Sequence, residues 1–149
     1  MSSRLDDRGR IVVGVDGSPS GRQALLWALE EARVRRAECL LLHAWSFGIA
    51  AASPFVGEVL PQIAQDAQWL LDEELNVAAA SGVPAKGLLV EGSAANALVD
   101  ASAGADLLVV GTRRRGELAS AVLGSISAAC VHRSLCPVVV VPPPDETPD

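Results

Sequence analysis

The chain has 149 residues, half of them hydrophobic and a fifth charged, and its formal net charge at pH 7 is −6. Its length suits one domain that buries roughly two-thirds of the unfolded surface, and its composition is that of a globular protein, not a disordered one. The acidic balance argues against nucleic acid or an anionic membrane as the main partner.

Membrane and secretion signals are missing from the sequence. No run approaches the roughly 18 apolar residues that a bilayer-spanning helix needs, and the opening MSSRLDDRGR is polar, without the apolar region of a signal peptide. We therefore expect a cytoplasmic protein. Cys39, Cys130 and Cys136 show no CxxC spacing, so we expect buried thiols and neither a disulfide framework nor a zinc site.

Short apolar runs alternate with segments of helical periodicity. The runs have no polar alternation, which is typical of parallel strands covered on both faces, and they lie at 11–15, 39–44, 87–90, 107–110 and 138–141. Helices are predicted between them: one that Ser18 caps and Pro19 opens, then others over about 61–80, 94–103 and 118–133. This order predicts a single-domain α/β fold with a five-stranded parallel sheet and helices on both faces.

The sequence divides into a polar arm over 1–9, one domain over 10–142, and a Pro-rich acidic tail over 143–149. Residues 46–58 show no clean period, and we expect a mobile loop there before the second helix. No internal repeat or linker is visible, which supports a single domain.

Glycines and arginines are concentrated after the fourth predicted strand. That strand ends at Gly111, three consecutive arginines follow at 113–115, and Gly116 comes next. Further on, Gly124 and Ser125 can present more donors to the same space. A strand that leads into a glycine-rich turn and a helix offers exposed backbone N–H groups to a phosphate. The segment therefore predicts an anion site.

The first predicted strand ends in Gly14, Val15 and Asp16. If the first and fourth strands are neighbours, their loops face each other across one crevice at the carboxyl edge of the sheet. Asp16 would suit ribose hydroxyls or a metal ion, and the 111–127 segment would suit phosphates. The pattern predicts a nucleotide site, although it is neither a P-loop, because Glu117 stands where lysine is needed, nor a GxGxxG fingerprint.

Catalytic candidates are few. His43 lies in the second apolar run, where an ordinary partly buried histidine is the favoured interpretation, and His132 suits a surface or capping role near the end of the fourth helix. No Ser/His/Asp or Cys/His arrangement and no metal-ligand cluster is evident. We therefore expect no enzyme and no resident metal, with slow ATP hydrolysis as the least favoured alternative.

Taken together, these segments closely resemble the universal stress protein family. The opening IVVGVDGSPSGRQALLWA is similar to that family's first strand, Asp-containing turn and first helix. The ending VVGTRRRGELASAVLGSISAACVHRSLCPVVVVP is similar to its last two strands and nucleotide loop. The resemblance, which covers residues 10–142, implies a flavodoxin-like sheet of order 3-2-1-4-5, a homodimer through the strand at 138–141 and, in one branch, ATP binding.

That branch is marked by G-x2-G-x9-G-[ST], which Gly111 and Gly124-Ser125 match, while Arg114 replaces the middle glycine. The resemblance implies that Gly14, Val15 and Asp16 contact adenosine and that the backbone near Ala44 meets the adenine edge. It also implies a set of phosphate-lining residues: Gly111, Arg113, Gly124, Ser125 and Ser127. We also assign Arg115, Gly116 and Ile126 to the predicted nucleotide-binding site.

Arg114 leaves two interpretations open. A left-handed conformation there would cost about 1–2 kcal/mol, and a charge-assisted bond to phosphate would return about 1.5–3 kcal/mol. The leading hypothesis is a stress-response regulator that binds ATP, with Mg²⁺ at Asp16 as an option, or else AMP or a cyclic nucleotide. The alternative is an interaction module of the same fold whose pocket Arg114 closes. Either would act on an unidentified regulatory protein partner.

Overall fold

The computed structural model describes residues 8–46, 52–112 and 123–144. Within them, five strands and four helices alternate in one chain of elements: β1 (Arg10–Gly14), α1 (Pro19–Arg35), β2 (Glu38–Trp45), α2 (Val56–Ser81), β3 (Ala85–Glu91), α3 (Ala94–Ser102), β4 (Leu107–Gly111), α4 (Ser125–Arg133) and β5 (Val138–Val141). Neighbouring strands are parallel and follow the order β3-β2-β1-β4-β5. The predicted α/β fold and its strand order are confirmed.

Helices cover both faces of this sheet. α1 and α2 pack on one face around buried residues that include Ile11 and Val13. α3 and α4 pack on the other face around Val12 and Leu108. Successive side chains of a strand point to opposite faces. Because both faces are covered, apolar residues occupy successive positions in the middle of the strands, and the sequence shows runs without alternation.

The predicted starts of α1 and α3 are confirmed by their caps. The Ser18 hydroxyl accepts a hydrogen bond from the Gly21 N–H at 3.0 Å, and Pro19 is the first helical residue. The Ser93 hydroxyl accepts from the Asn96 N–H at 3.1 Å. These bonds satisfy donors that a helix N-terminus leaves without an intrahelical partner. They also place the starts of both helices at the carboxyl edge of the sheet.

The predicted start of the second helix is wrong. α2 begins at Val56 and contains Pro61, so residues 56–58 are helical and do not belong to the loop predicted over 46–58. The first turn is held by N–H groups of Glu58 and Val59, which donate to the Phe55 carbonyl at 2.9 and 3.2 Å. Proline favours the first position of a helix, but here these bonds extend the helix ahead of it.

The predicted fourth helix over 118–133 is not continuous, and its first part, 118–122, lies outside the described residues. Leu123 and Gly124 are not helical, and α4 begins at Ser125 after Gly124 in an extended conformation with φ −69° and ψ 168°. The Gly124 N–H donates to the Thr112 carbonyl at 2.7 Å. This hydrogen bond holds Gly124 close to the end of β4 in an extended conformation, so a helix cannot continue through Gly124 into α4.

Candidate functional site

The carboxyl ends of β1, β2 and β4 and the turn after β3 open onto one cavity of about 480 Å³. β1 and β4 are hydrogen-bonded neighbours, so the loops that follow them face each other where the strand order reverses. A cavity of this size suits a small-molecule ligand. Every predicted site residue that the structure describes lines it: Gly14, Val15, Asp16, Ala44, Gly111, Gly124, Ser125, Ile126 and Ser127. The predicted residues Arg113, Arg115 and Gly116, together with Arg114, lie outside the described residues.

Asp16 follows β1, and the start of α1 orients its carboxylate. Its Oδ1 atom accepts hydrogen bonds from the Ser18 N–H at 2.9 Å and from the Ser18 hydroxyl at 2.6 Å. The same hydroxyl accepts from the Gly21 N–H. Both bonds to the carboxylate use Oδ1, so Oδ2 is the oxygen that can accept a hydrogen bond from a ligand in the cavity.

β2 extends beyond β1 at this edge of the sheet. The pairing of the two strands ends at Gly14 opposite Leu42, and the Val15 N–H then donates to the Leu42 carbonyl at 2.9 Å. On the other edge of β2, the Trp45 carbonyl accepts from Gly92 at 2.8 Å. Backbone groups of successive strand residues alternate between the two edges. Ala44 therefore carries its N–H and C=O on the β1 side, at the cavity wall beyond the last pair.

His43 connects β2 to the turn that contains Asp16. Its Nδ1 lies 2.8 Å from the Val15 carbonyl oxygen. A carbonyl only accepts, so Nδ1 carries the proton, and Nε2 is an acceptor in the neutral ring. The ring is half-buried, as predicted. The sequence did not show its role, because strand periodicity does not reveal which carbonyl a ring nitrogen will reach.

The N-terminus of α4 forms the opposite wall. Its N-cap residue is Gly124, and no side chain caps the helix, in contrast to the serines that cap α1 and α3. The Gly124 carbonyl accepts from the Ala128 N–H at 2.9 Å, so the N–H groups of 125–127 have no intrahelical partner. An anion would satisfy these donors and interact favourably with the positive end of the helix dipole.

Ser127 offers its backbone to the cavity and keeps its hydroxyl for the fold. The hydroxyl donates to the carbonyl oxygens of Thr112 and Gly124, each 3.1 Å away. The residue is 2% exposed. Together with the hydrogen bond from the Gly124 N–H to the Thr112 carbonyl, these contacts hold the end of β4 against the start of α4. Ser127 therefore helps to fix the distance between the two residues, 112 and 124, at which β4 and α4 meet the intervening segment.

Gly111 is required by close packing between β4 and α1. A Cβ at this position would lie 2.7 Å from Ser20 Oγ and 2.9 Å from the Ser20 backbone carbon. At Gly14 the contacts would be looser, with Leu98 Cδ1 at 3.2 Å. The missing side chain at 111 thus lets the end of β4 approach the start of α1, and it sets the width of the crevice.

The described residues hold no metal cluster, and burial disfavours the reactive thiolate form of two of their cysteines. In 8–46, 52–112 and 123–144, no three His, Cys, Asp or Glu side chains are grouped as a metal site. Burial raises the pKa of Cys39 to about 12, and burial also raises the pKa of Cys130. Cys39 and Cys130 are buried, as predicted, but the prediction is wrong for Cys136, which is half-buried. The helices in the described ranges are too short or too polar to cross a membrane.

Comparison with known proteins identifies related chains over nearly the whole length. Residues 8–142 match the model of the universal stress protein family. Universal stress protein Rv2005c of Mycobacterium tuberculosis is 36% identical over 132 residues, which are 87% of this chain and 44% of that protein. A universal stress protein of Thermus aquaticus is 35% identical over 135 residues, covering 88% of this chain and 96% of that one. The chain therefore spans about half the length of the mycobacterial relatives that it matches.

Solved structures show the same architecture. A universal stress protein crystallised in complex with cAMP has 28% sequence identity and a TM-score of 0.67, covering 92% of this chain and 98% of that chain. A family member from Arabidopsis thaliana with AMP bound has 25% identity and a TM-score of 0.69, covering 95% and 96%.

Proposed function

This chain belongs to the universal stress protein family, and we propose that it is a cytoplasmic stress-response regulator that binds an adenine nucleotide, ATP by preference, in the crevice between β1 and β4. One observation carries the proposal: the Asp16 carboxylate and the uncapped N-terminus of α4 line the same cavity from opposite sides. One wall accepts hydrogen bonds and the other donates them to an anion. Relatives with cAMP or AMP bound support an adenine nucleotide as the class of ligand.

In the proposed complex, the base lies against β2 and the sugar against Asp16. The Ala44 N–H would donate to adenine N1, and the Ala44 carbonyl would accept from the adenine amino group. Asp16 Oδ2 would accept from a ribose hydroxyl. The aliphatic side chains of Val110 and Leu98, which also line the cavity, suit an uncharged aromatic base.

The phosphates would bind at the N-terminus of α4. The N–H groups of Ser125, Ile126 and Ser127 would donate to them, with Gly111 and Gly124 allowing close approach of the backbone. Arg113, Arg115 and Gly116 remain predicted members of the same phosphate site. A Mg²⁺ ion would arrive with the nucleotide, and Asp16 is the carboxylate available to it. AMP and a cyclic nucleotide are the alternative ligands.

We propose regulation through binding, without turnover. The titratable side chains that line the cavity, among the residues described, are Asp16 and His43. Asp16 Oδ1 is engaged by Ser18, and His43 Nδ1 is engaged by the Val15 carbonyl. Neither arrangement orients a water molecule for attack on a phosphate. Slow ATP hydrolysis is the least favoured alternative.

The proposed regulator is a homodimer through β5, which would present its ligand state to a further protein partner. β5 is an edge strand of four valines, each half-buried in the single chain. An edge strand carries a row of unpaired backbone donors and acceptors, which pairing with a second copy would satisfy. The same pairing would cover the exposed parts of the valines.

A charge at the start of α4 tests the site without disturbing the fold. Ser125 is exposed at the first helical position, so Ser125→Glu should stabilise the helix by about 0.3–1 kcal/mol while its carboxylate occupies the phosphate position. Ser125→Gln is the matched neutral control. In calorimetric titrations with ATP and Mg²⁺, we expect binding by the wild-type and Gln proteins and none by the Glu protein. Equal affinity in all three would contradict the site.

Failure of the wild-type protein to bind would favour the second candidate, an interaction module whose pocket Arg114 closes. Arg114→Gly should then create ATP binding where there was none. An Arg114→Gly protein that also binds no nucleotide would count against both candidates.

A further inference from the structure

The geometry points to Ser18 and Gly21 as positioning residues that hold Asp16 for ribose recognition, which would make the site selective for nucleotides that carry ribose hydroxyls. This inference rests on the proposed function and concerns its sugar subsite. It is carried by contacts around the carboxylate, each of which restricts a different part of Asp16.

Ser18 acts as a relay between the carboxylate and α1. It is 2% exposed, and its hydroxyl donates to Asp16 Oδ1 at 2.6 Å while accepting from the Gly21 N–H at 3.0 Å. A hydrogen bond this short to a carboxylate is strong because the acceptor is charged. Since one hydroxyl makes both bonds, the orientation of Asp16 is coupled to the first turn of α1.

Gly21 leaves room for the carboxylate. A Cβ built at this position would overlap Asp16 Oδ1 and would lie 3.1 Å from Ser18 Oγ. The backbone does not require glycine here, because Gly21 lies within α1 and is absent from the glycines with positive φ. Helix propensity favours alanine at such a position. The space that the Asp16 carboxylate occupies therefore explains why residue 21 is glycine.

Val15, the residue before Asp16, is held from the other side. Its N–H donates to the Leu42 carbonyl at 2.9 Å, and its carbonyl accepts from His43 at 2.8 Å. Both the backbone that leads to Asp16 and one oxygen of its side chain are thus fixed before a ligand arrives. Such preorganisation lowers the cost of ordering the site on binding. Oδ2 remains to accept from a ribose hydroxyl.

A comparison of two nucleotides measures this selectivity. ATP and 2′,3′-dideoxy-ATP share the base and phosphates, and only ATP can donate a hydroxyl to Asp16. Loss of a hydrogen bond to a charged group should weaken binding roughly tenfold or more. We therefore expect the wild-type protein to prefer ATP by that factor in calorimetric titrations of the full chain.

Gly21→Ala should abolish the preference. We expect its ATP affinity to fall to that of the dideoxy nucleotide, whose affinity should stay as in wild type. Gly57→Ala is the matched control, because a Cβ there meets nothing within 4 Å, and it should keep the preference. Ser18→Ala, which removes the relay hydroxyl, is the second variant if Gly21→Ala does not fold, and it should also lose the preference.

The outcomes separate this inference from the proposed function. Wild-type protein that binds neither nucleotide would contradict the proposed function itself. Wild-type protein that binds both equally would overturn the inference and leave the proposed function standing. The same holds if Gly21→Ala keeps the preference, or if it weakens both nucleotides equally, as general structural damage would.

Discussion

Replacing Gly111 by alanine tests whether packing, independently of any nucleotide, fixes the width of the crevice. The added Cβ would meet Ser20 Oγ at 2.7 Å, and the Ser20 backbone carbon and oxygen at 2.9 and 3.0 Å. The backbone atoms of Ser20 move only if α1 shifts from β4. Overpacking of this kind costs about 1–3 kcal/mol. For a chain of this size each kcal/mol corresponds to roughly 2–4 °C in Tm, so we expect a fall of roughly 2–12 °C.

The assay is urea unfolding and thermal unfolding without nucleotide, both monitored by circular dichroism. Gly57→Ala, whose Cβ enters open space in the first turn of α2, is the matched control, and it should stabilise the protein by at most about 0.5 kcal/mol because alanine is the better helix former. The two substitutions should therefore shift stability in opposite directions. A Gly111→Ala protein as stable as wild type would refute the packing argument, and glycine at 111 would then need a ligand to explain it.

Three further predictions concern a thiol, a histidine and the sheet edge. Burial and the Glu38 carboxylate raise the pKa of Cys39 from 9.0 to about 12, so the folded state keeps the thiol protonated at a higher pH than the unfolded state does, and the free energy of unfolding should fall as pH rises from 9 to 12. Alkylation of the native protein below pH 9, analysed by mass spectrometry, should label Cys136 and spare Cys39. His43→Phe keeps a ring and removes the donor to the Val15 carbonyl. The free energy of unfolding should therefore fall by about 1–3 kcal/mol, and titration with ATP should show a lower affinity. An unchanged free energy of unfolding and an unchanged affinity would contradict a role for this contact. The carbonyls of Pro137 and Val141 face β4, so the Val140 N–H faces the open edge of the sheet. Val140→Pro removes this donor and should convert the proposed dimer into a folded monomer, as light scattering would show. A dimer that persists would refute pairing through β5.

The strands were predictable from sequence because the sheet is covered on both faces. A run such as 107–110 is apolar at every position, and β4 contains it. Helix starts were predictable where a serine caps the first turn, as at Ser18 and Ser93. Pro61 misled the prediction of α2, because a proline preference for the first turn says nothing about residues that precede it.

The contacts that complete the site depend on distances that sequence patterns do not contain. Asp16 was predicted from its place after a strand and from the family resemblance, but Gly21 was not, since its effect is the space that a missing Cβ leaves. Glu74 shows the same limit in the core. It is 1% exposed on the inner face of α2 and pairs with Arg22 at 2.8 Å, and only the tertiary packing of α1 on α2 reveals that a carboxylate can be buried there.

The central claim is that an adenine nucleotide binds between Asp16 and the N-terminus of α4. The most direct test denatures the purified full chain, identifies nucleotides in the supernatant by anion-exchange chromatography, and titrates the refolded, nucleotide-free protein with ATP and Mg²⁺. We predict a stoichiometric adenine nucleotide in the supernatant, or one saturable site in the titration. An empty supernatant together with no heat of binding would contradict the claim.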